Sequence, residues 1–358
     1  MTTSNPQSAA VIGAGISGLI CARTLMDAGF SVQVFDKSRG VGGRMATRRA
    51  DYGIFDHGAQ YFTARDPAFK QAVARWTAQG LVAVWSPRLA AIDATTDRPQ
   101  LAPVGDSTVR HVGVPAMSRV GKSLAEGLVV HTDCPIAAPR RVGSQWHLHA
   151  GVQQADSGMA TTRETTAALS RGFDWLIAAT PSPQAAGLFD SAPELRAQAI
   201  GLPMVPCWAL LLRFDAPLGL GYDAAFVSGS TLTWIARNGS KPGRDSGECW
   251  VVHAARDWSE TTLERSPEAV VDPMLEEFAR VTGVCSAPAI ARAHRWRYSG
   301  PAVTQNASLT PPPGATCLFD PQLQAGACGD WLAGSRVEGA FLSGLTLATR
   351  MIEQRNTG

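Results

Sequence analysis

Three glycines near the start of the chain are spaced as GxGxxG between a predicted strand and a predicted helix. Residues 9–12 are apolar and end at Gly13, which is typical of a buried parallel strand. Ser17 to Gly29 has apolar side chains at helical spacing, and Ser31 to Phe35 predicts a second strand that ends at Asp36. Together these segments form a β-α-β unit, which indicates a nucleotide-binding α/β fold.

The residues of this turn suit a bound dinucleotide. Gly13 allows the tight turn, Gly15 lets the backbone approach a pyrophosphate, and Gly18 lets the helix pack against the strand. Ser17 begins the helix, whose free N–H groups and positive dipole end face the phosphates. Asp36 lies where an acidic side chain accepts hydrogen bonds from a ribose.

The next loop, Lys37 to Arg44, indicates FAD rather than NAD as the ligand. Its sequence resembles the RxGGR signature that follows the Rossmann unit in FAD oxidases of the amine-oxidase type. Gly43 lets the backbone pass near the pyrophosphate, and Arg44 can pair with a phosphate. We expect non-covalent FAD, because no cysteine lies in the Ser-Gly-Gly-Cys-Tyr context of a covalent flavin link.

A third cofactor element lies near the C-terminus. Gly329 and Asp330 follow an apolar strand, and a predicted helix begins near Gly339 and Ala340. This looks like the flavoprotein Gly-Asp motif, which implies that Asp330 binds the ribityl or pyrophosphate part of FAD. The helix N-terminus would then lie at flavin N1 and the C2 carbonyl, where its dipole stabilises reduced flavin.

Composition restricts the class of protein further. The chain has 358 residues, 45% of them apolar, and a formal net charge of +2, which gives no electrostatic signature of nucleic-acid binding. No apolar stretch is long enough to span a bilayer, and the N-terminus lacks the basic region of a signal peptide. The seven scattered cysteines predict no metal site and a reducing compartment. We expect a cytoplasmic protein that binds neither nucleic acid nor membrane.

The rest of the chain predicts a mixture of strands and helices. Strands are expected at 129–132, 145–149, 175–178, 208–214, 250–253 and 325–328. Helices are expected at 67–79, 117–125, 259–269, 273–281 and 337–354. Turn-rich segments are expected at 87–113, 151–166, 238–247 and 311–314. Residues 219–224 imitate a second dinucleotide motif but follow a proline-containing turn, so we do not assign them that role.

Several segments, in order along the chain, resemble the renalase family. They are 13–44, 56–62, 113–117, 234–238, 240–244, 250–254, 294–298 and 329–330. The resemblance implies a p-hydroxybenzoate-hydroxylase-like α/β fold with a Rossmann-type FAD-binding domain and an interleaved sheet-plus-helix substrate domain. It assigns 1–70, 112–186 and 300–358 to the first domain and 71–111 and 187–299 to the second. It also places Gly58, Ala59 and Gln60 among the cofactor contacts.

The same resemblance implies a reaction. Renalase-like enzymes oxidise the 1,2- and 1,6-dihydro isomers of NAD(P) to NAD(P)+, with electrons passing to FAD and then to O2 to give H2O2. A dihydropyridine becomes aromatic by losing a hydride, so the reaction needs no general base. The expected partners are a dinucleotide substrate and O2, and the expected state is a monomer or weak dimer.

The candidate catalytic residues are those that could surround a substrate ring, namely Trp234, Asn238, His253, Trp296 and Tyr298. The aromatic residues and the histidine lie in predicted strands, so each could instead belong to the core. Trp296 and Tyr298 share one strand face, while Arg295 and Arg297 share the other. The sequence does not decide which face lines the site.

Two other functions remain open at this stage. A flavin amine oxidase commonly uses a lysine that holds a water at flavin N5, and Lys241 is the best candidate. However, Lys241 lies in a Ser-Lys-Pro-Gly turn, where we do not expect a buried lysine. The third possibility is a flavin-binding protein that serves interaction rather than turnover, although no sequence segment marks a partner surface.

Overall fold

The structure is a computed structural model that describes residues 6–151, 162–244, 247–302 and 316–357. Its strands, in chain order, are β1 (Ser8–Ile12), β2 (Ser31–Phe35), β3 (Arg48–Ala50), β4 (Gly53–Phe55), β5 (Val82–Trp85), β6 (Leu89–Asp93), β7 (Gln100–Pro103), β8 (Arg110–Gly113), β9 (Val129–His131), β10 (Arg140–Val142), β11 (Gln145–His147), β12 (Gly172–Phe173), β13 (Trp175–Ala178), β14 (Met204–Phe214), β15 (Ala224–Ser228), β16 (Leu232–Arg237), β17 (Glu248–Ala254), β18 (Ile290–Pro301), β19 (Leu318–Asp320) and β20 (Ala325–Ala327).

The helices of the described residues, in chain order, are α1 (Ile16–Asp27), α2 (Pro67–Ala78), α3 (Ser118–Ala125), α4 (Arg163–Leu169), α5 (Ser182–Leu188), α6 (Pro193–Ile200), α7 (Arg256–Thr261), α8 (Pro267–Thr282) and α9 (Val337–Thr357). Throughout the described ranges, no helix has the length and apolar character needed to cross a membrane.

The first large sheet has six strands in the order β19-β20-β13-β1-β2-β9. β1 lies between β13 and β2 and is parallel to both, so the predicted β-α-β unit is present. Helix α9 packs closely on α1, because a Cβ added at Gly344 would overlap the carbonyl oxygen of Ser17. This arrangement confirms the predicted mixed α/β fold with a Rossmann-type unit.

The second large sheet has seven strands in the order β18-β14-β17-β16-β15-β6-β7. One face is covered by α8, which buries Val270, Met274, Phe278 and Val281 in the same core as alternate side chains of β14 to β17. The opposite face carries Trp234, His253 and Trp296. The two sheets use interleaved chain segments, whereas the predicted domain boundaries stay a prediction.

Two predictions about local structure are wrong. Residues 87–113, expected to be turn-rich, contain β6, β7 and β8, because Leu89, Ala90 and Ile92 are buried where β6 pairs with β15. Separate helices at 259–269 and 273–281 were also expected, but α7 ends at Thr261 and α8 continues through Pro273. The hydroxyl of Ser266 caps α8, and burial of its apolar side offsets the one backbone hydrogen bond that proline removes.

Two other predictions concern loops. Residues 219–223 are a loop before β15 rather than a strand-to-helix turn, so the second glycine pattern is confirmed not to be a dinucleotide motif. The predicted turn at 311–314 lies outside the described residues, as does most of 151–166.

Candidate active site

The first glycine turn has the geometry that a bound pyrophosphate requires. Gly13 has a φ of +113°, and a Cβ at Gly18 would overlap the Gly13 carbonyl oxygen and lie 2.9 Å from the Ala179 Cβ. A Cβ at Gly15 would have no neighbour within 4 Å, so this position is open beside the N-terminus of α1. The turn is therefore closed where the helix meets the strand and open where a phosphate would approach.

Asp36 holds the turn in place from the end of β2. Its carboxylate accepts hydrogen bonds from the backbone N–H groups of Ala14, at 2.6 Å, and Ser38, at 2.7 Å. Lys37 is exposed beside it. The backbone contacts orient the carboxylate at the strand end where a ribose is bound in this fold.

The RxGGR-like loop lies directly on the glycine turn. The backbone N–H of Gly42 donates to the Ala14 carbonyl oxygen at 2.8 Å, and a Cβ at Gly43 would lie 3.1 Å from the Gly15 Cα. Gly42 and Gly43 both have positive φ, at 111° and 54°. Glycine is required here because two backbone segments approach each other in a conformation that L side chains rarely adopt.

Arg44 and Asp330, both predicted to contact the cofactor, pair with each other. The guanidinium donates to the two carboxylate oxygens at 2.5 and 2.9 Å, and also to the Ser299 carbonyl oxygen at 2.9 Å. The pair joins the RxGGR-like loop, which ends at Arg44, to the Gly-Asp turn, which contains Asp330. Around it, a Cβ at Gly329 would overlap the Trp331 ring, and one at Gly339 would overlap the Ala333 carbonyl oxygen, while Ala340 lies in the first turn of α9.

Residues Asp56–Gln60 form a segment that we call the cofactor strap. The Ala59 N–H donates to the Arg44 carbonyl oxygen at 2.9 Å, and a Cβ at Gly58 would overlap that same oxygen. The amide nitrogen of Gln60 donates to the carbonyl oxygens of Asp56 and Gly58. The strap is therefore held tightly against Arg44, and the glycine turn, the Arg44 loop and the strap together fit an FAD molecule.

A row of side chains crosses the seven-stranded sheet on the face that meets the strap. Cross-strand pairs place Phe226 beside Trp234, Trp234 beside His253, and His253 and His294 on either side of Ala209. Paired residues of neighbouring strands share a sheet face. The predicted residues Trp234 and His253 therefore lie in one row, with His294 at its end.

Two even-numbered residues of β18, His294 and Trp296, face the strap. The Trp296 indole N–H donates to the His57 carbonyl oxygen at 2.9 Å, and the Trp296 ring lies 5.0 Å from the His57 ring. Tyr298 lies where the register of β18 against β14 shifts, between Trp296 and Gly300. Arg295 and Arg297 point the other way, where they bond the Leu263 carbonyl oxygen at 2.7 Å and the Glu264 carboxylate at 2.6 Å respectively. The structure thus identifies the strand face that the sequence left open.

The row is buried at Trp234 and open at Phe226. Trp234 is 6% exposed and has the rings of Phe226, Tyr61 and Trp85 at 4.9, 5.6 and 6.4 Å. Phe226 is 40% exposed. The indole nitrogen of Trp234 is buried and has no hydrogen-bond partner among the described residues. This end of the row is an aromatic cluster in which one hydrogen-bond donor has no partner among the described residues.

The histidines of this site are neutral at physiological pH. Burial lowers the pKa of His57 to about 3 and those of His253 and His294 to about 4. The His253 Nε2 lies 3.2 Å from the His57 carbonyl oxygen. Since a carbonyl oxygen only accepts, Nε2 carries the hydrogen of His253 and Nδ1 is left as an acceptor.

Lys241 is buried, so the sequence-based expectation for it is wrong. Its side chain is fully buried, and Nζ donates to the Gln60 amide oxygen at 3.2 Å and to an Asp56 carboxylate oxygen at 3.4 Å. Arg244, also fully buried, donates to the same Asp56 oxygen at 2.7 Å. The Ser-Lys-Pro-Gly turn points into the protein interior because Asp56 supplies a buried carboxylate for both cations.

The charges of this cluster shift each other's pKa values. Burial lowers the pKa of Lys241 to about 8, with Arg244 adding to the effect and Asp56 opposing it. Burial would raise the pKa of Asp56, but Lys241 and Arg244 outweigh it and the net shift is downward. Asp56 is therefore ionised at neutral pH, and the three groups together carry one net positive charge.

Asn238 braces the strap instead of facing the aromatic row. Its amide nitrogen donates to the Ile54 carbonyl oxygen at 2.9 Å, and its amide oxygen accepts from the Asp56 backbone N–H at 3.2 Å. The side chain is completely buried. Of the predicted pocket residues, Trp234, His253 and Trp296 are thus brought together, whereas Asn238 lies behind the strap.

Sequence reasoning missed several residues of this site, namely His57, Tyr61, Trp85 and His294, and it named Lys241 as a candidate without expecting it to be buried. His294 could have been found, because it has the same strand parity as Trp296 and Tyr298. His57 and Tyr61 lie inside the renalase-like segment that also contains Gly58. Lys241 and Trp85 gave no local signal, since their roles depend on contacts distant in sequence.

The fold and site define a flavin-dependent oxidoreductase, and comparison with known families agrees. Residues 106–352 match the family model described as flavin containing amine oxidoreductase, and residues 11–76 match an NAD(P)-binding Rossmann-like domain. The first match spans more than half of the chain. The chain therefore belongs to the flavin-containing amine oxidoreductase family.

Solved structures support the fold over its whole length. Cyclohexylamine oxidase from Brevibacterium oxydans superposes with a TM-score of 0.74 at 13% identity, covering 98% of this chain and 100% of that one. Putrescine oxidase bound to putrescine gives 0.67 at 13% identity, covering 97% and 99%. An oxidoreductase from Methanosarcina mazei gives 0.66 at 12% identity, covering 96% and 100%. At such identities the likeness concerns the fold alone.

Curated relatives match only a short segment. An L-amino-acid oxidase from Mus musculus is 45% identical over 47 residues, and one from Bothrops pauloensis is 47% identical over 49 residues. These matches cover 8% and 10% of the two relatives and 13% and 14% of this chain.

Proposed function

We propose that the protein is an FAD-dependent oxidase of dihydronicotinamide dinucleotides, with the 1,2- and 1,6-dihydro isomers of NAD(P) as substrates. In the overall reaction, dihydro-NAD(P), O2 and one proton give NAD(P)+ and H2O2. FAD, when bound, supplies a two-electron acceptor that takes the hydride and returns the electrons to oxygen. We include in the proposal that FAD is non-covalent and that the enzyme acts in the cytoplasm without a macromolecular partner.

The observation that carries the proposal is the uncharged row on the seven-stranded sheet. Trp234, His253, His294 and Trp296 offer rings and neutral imidazoles to a substrate, and all three histidines of the site have pKa values of about 4 or below. Flat aromatic groups of this kind bind a planar, neutral dihydropyridine by stacking.

The charges near the row disfavour a protonated amine. Asp56 is a carboxylate of the strap, and two buried cations already neutralise it. The cluster of Asp56, Lys241 and Arg244 has a net charge of +1, which repels an ammonium group and attracts the phosphates of a dinucleotide. This distribution of charge supports a dinucleotide over an amine.

The chain itself would bind and orient the substrate and exclude water. The His253 Nε2–H is used by the strap, so its Nδ1 remains to accept a hydrogen bond, and the free indole N–H of Trp234 remains to donate one. A dihydronicotinamide carries a carboxamide, whose NH2 group can donate to such an acceptor and whose oxygen can accept from such a donor. Holding the ring in one orientation is the main contribution the protein can make to hydride transfer.

Anaerobic rapid mixing tests this function directly. We expect the flavin absorbance to bleach with an equilibrated pool of NAD(P)H isomers and to remain with cyclohexylamine, putrescine and L-amino acids. 1,4-NAD(P)H alone serves as the matched control for the isomers. Bleaching by an amine in place of the dihydropyridines would reject the proposal.

The second candidate function is amine oxidation. It is favoured by the family match over residues 106–352 and by the buried Lys241, whose pKa of about 8 leaves part of it neutral in mildly basic solution. In that case an amine should reduce the flavin, and Lys241→Met should abolish the reduction. The same rapid-mixing experiment therefore separates the two functions.

A further inference from the structure

We propose that Lys241 is a positioning residue that holds the cofactor strap through the Gln60 amide and the Asp56 carboxylate, and thereby sets the affinity and reduction potential of the bound flavin. The inference goes beyond the proposed function, because it concerns the strap and FAD and holds for any substrate. It is carried by the hydrogen bonds of three groups.

The Gln60 side chain closes the strap on itself. Its amide nitrogen donates to the carbonyl oxygens of Asp56 and Gly58, so both of its hydrogens are used within the strap. Its amide oxygen accepts from the Lys241 ammonium at 3.2 Å. Lys241 therefore fixes which way the Gln60 amide points, since reversing the amide would place its NH2 group against an ammonium group.

Asp56 joins the strap to three other parts of the chain. One carboxylate oxygen accepts from the Thr47 hydroxyl at 2.6 Å and the Met117 N–H at 3.1 Å, and the other accepts from Lys241 and Arg244. Thr47 follows the Arg44 loop, and Met117 precedes α3. A buried carboxylate with this many donors is a rigid point, and it stays ionised because the two cations are present.

The third group is Lys241 itself, whose side chain is enclosed beside the strap. Nζ lies 5.6 Å from the centre of the Trp85 ring and within 3.5 Å of the Asn238 amide oxygen, and the whole side chain is buried. Lys241 and Arg244 supply two positive charges against the single negative charge of Asp56. These charges interact strongly because the region is buried and its dielectric constant is low. A positive charge behind the strap stabilises the extra negative charge of reduced flavin.

The test compares two Lys241 variants and one control in the holoprotein. Lys241→Met removes the charge and the donor, while Lys241→Gln removes the charge and keeps a donor for Gln60. The control is Arg237→Met, because Arg237 ends β16 four residues before Lys241 but pairs with Asp223, at 2.7 Å, and not with the strap. The measurements are FAD release on dilution and the flavin midpoint potential, neither of which uses a substrate.

We expect Lys241→Met to raise the FAD dissociation constant at least tenfold and to lower the midpoint potential by about 30 mV, the equivalent of a tenfold change for a two-electron couple. Lys241→Gln should bind FAD more tightly than Lys241→Met does, but its midpoint potential should fall by the same amount. Arg237→Met should change neither beyond twofold. A Lys241→Met protein that is less stable but binds FAD with unchanged affinity and potential would show a purely structural lysine and overturn the proposal. If Lys241→Met does not fold, the potential of Lys241→Gln decides the question alone.

Discussion

Arg44 and Asp330 lie 286 positions apart in the chain and form a bidentate ion pair, with N–O distances of 2.5 and 2.9 Å. Arg44 belongs to the loop that follows the Rossmann unit, and Asp330 to the turn before α9. Each satisfies the charge of the other, so the two loops are joined at the place where both were predicted to meet FAD.

Replacing Arg44 should lower FAD occupancy. A charge-assisted hydrogen bond contributes about 1.5–3 kcal/mol, so Arg44→Ala should weaken FAD binding by roughly 10- to 150-fold. The FAD-to-protein ratio after purification measures the effect. Arg119→Ala is a suitable control, because Arg119 forms an exposed ion pair with Glu126 at 3.3 Å. Full FAD content in Arg44→Ala would contradict the assignment.

Bound FAD should be removable without breaking a covalent bond. The cysteines within the described residues are free thiols, and those nearest the Rossmann turn and the Gly-Asp turn, Cys21 and Cys328, are completely buried. Acid precipitation should therefore leave the yellow colour in the supernatant. Colour that remains in the protein pellet would contradict this prediction.

The rate of flavin reduction should be independent of pH over the neutral range. His57, His253 and His294 have pKa values of about 3 to 4, so all three are neutral above about pH 5.5 and no proton transfer limits hydride loss. Rapid mixing at several values between about pH 5.5 and 7 tests this. A bell-shaped profile within that range would indicate an essential acid or base.

Protein stability should respond to Lys241 in mildly basic solution. The pKa of Lys241 is about 8 in the folded protein and 10.5 for an ordinary lysine. Between these values the unfolded chain holds a proton that the folded protein has lost, so the free energy of unfolding rises with pH. Across this pH range, the free energy of unfolding of the wild type should rise by up to about 3 kcal/mol relative to that of Lys241→Met. Urea unfolding of both proteins across this range measures the difference, and a decrease would contradict it.

His253 should matter more for substrate binding than for the chemical step. His253→Gln keeps a donor for the His57 carbonyl oxygen but removes the imidazole acceptor. We therefore expect substrate binding to weaken roughly tenfold and the limiting rate of flavin reduction to change less. His149→Gln is the control, because His149 is exposed in the loop after β11. Equal loss of both quantities would show that His253 acts mainly in the transition state.

Local patterns were sufficient to predict the nucleotide-binding part of the fold. Gly13, Gly15 and Gly18 have distinct steric roles that the spacing alone implies, and α1 and β2 follow from periodicity. Alternation along β18 also predicted two opposed faces, although only the structure showed that the Trp296 side meets the strap. These features depend on neighbours within a few residues, which a sequence records directly.

The buried charges could not be predicted in this way. Lys241 and Asp56 are 185 positions apart, and nothing in the Ser-Lys-Pro-Gly turn indicates that Lys241 pairs with a buried carboxylate. A lysine in a turn is ordinarily solvated, so the local rule gave the opposite answer. Pro273 within α8 is a similar case, since long-range burial decides the outcome there as well.

The contact between α1 and α9 has a consequence for how the protein is made. Ser17 meets Gly344, so the N-terminal helix finds its partner only after 327 further residues have been synthesised. At 5–20 residues per second, that takes about 15–65 s. Throughout this time the side of α1 that packs on α9 lacks its final neighbour, although β1 can already pair with β2 and, once residue 178 is made, with β13. The nascent chain therefore carries its nucleotide-binding turn long before the ribosome has released the helix that completes it.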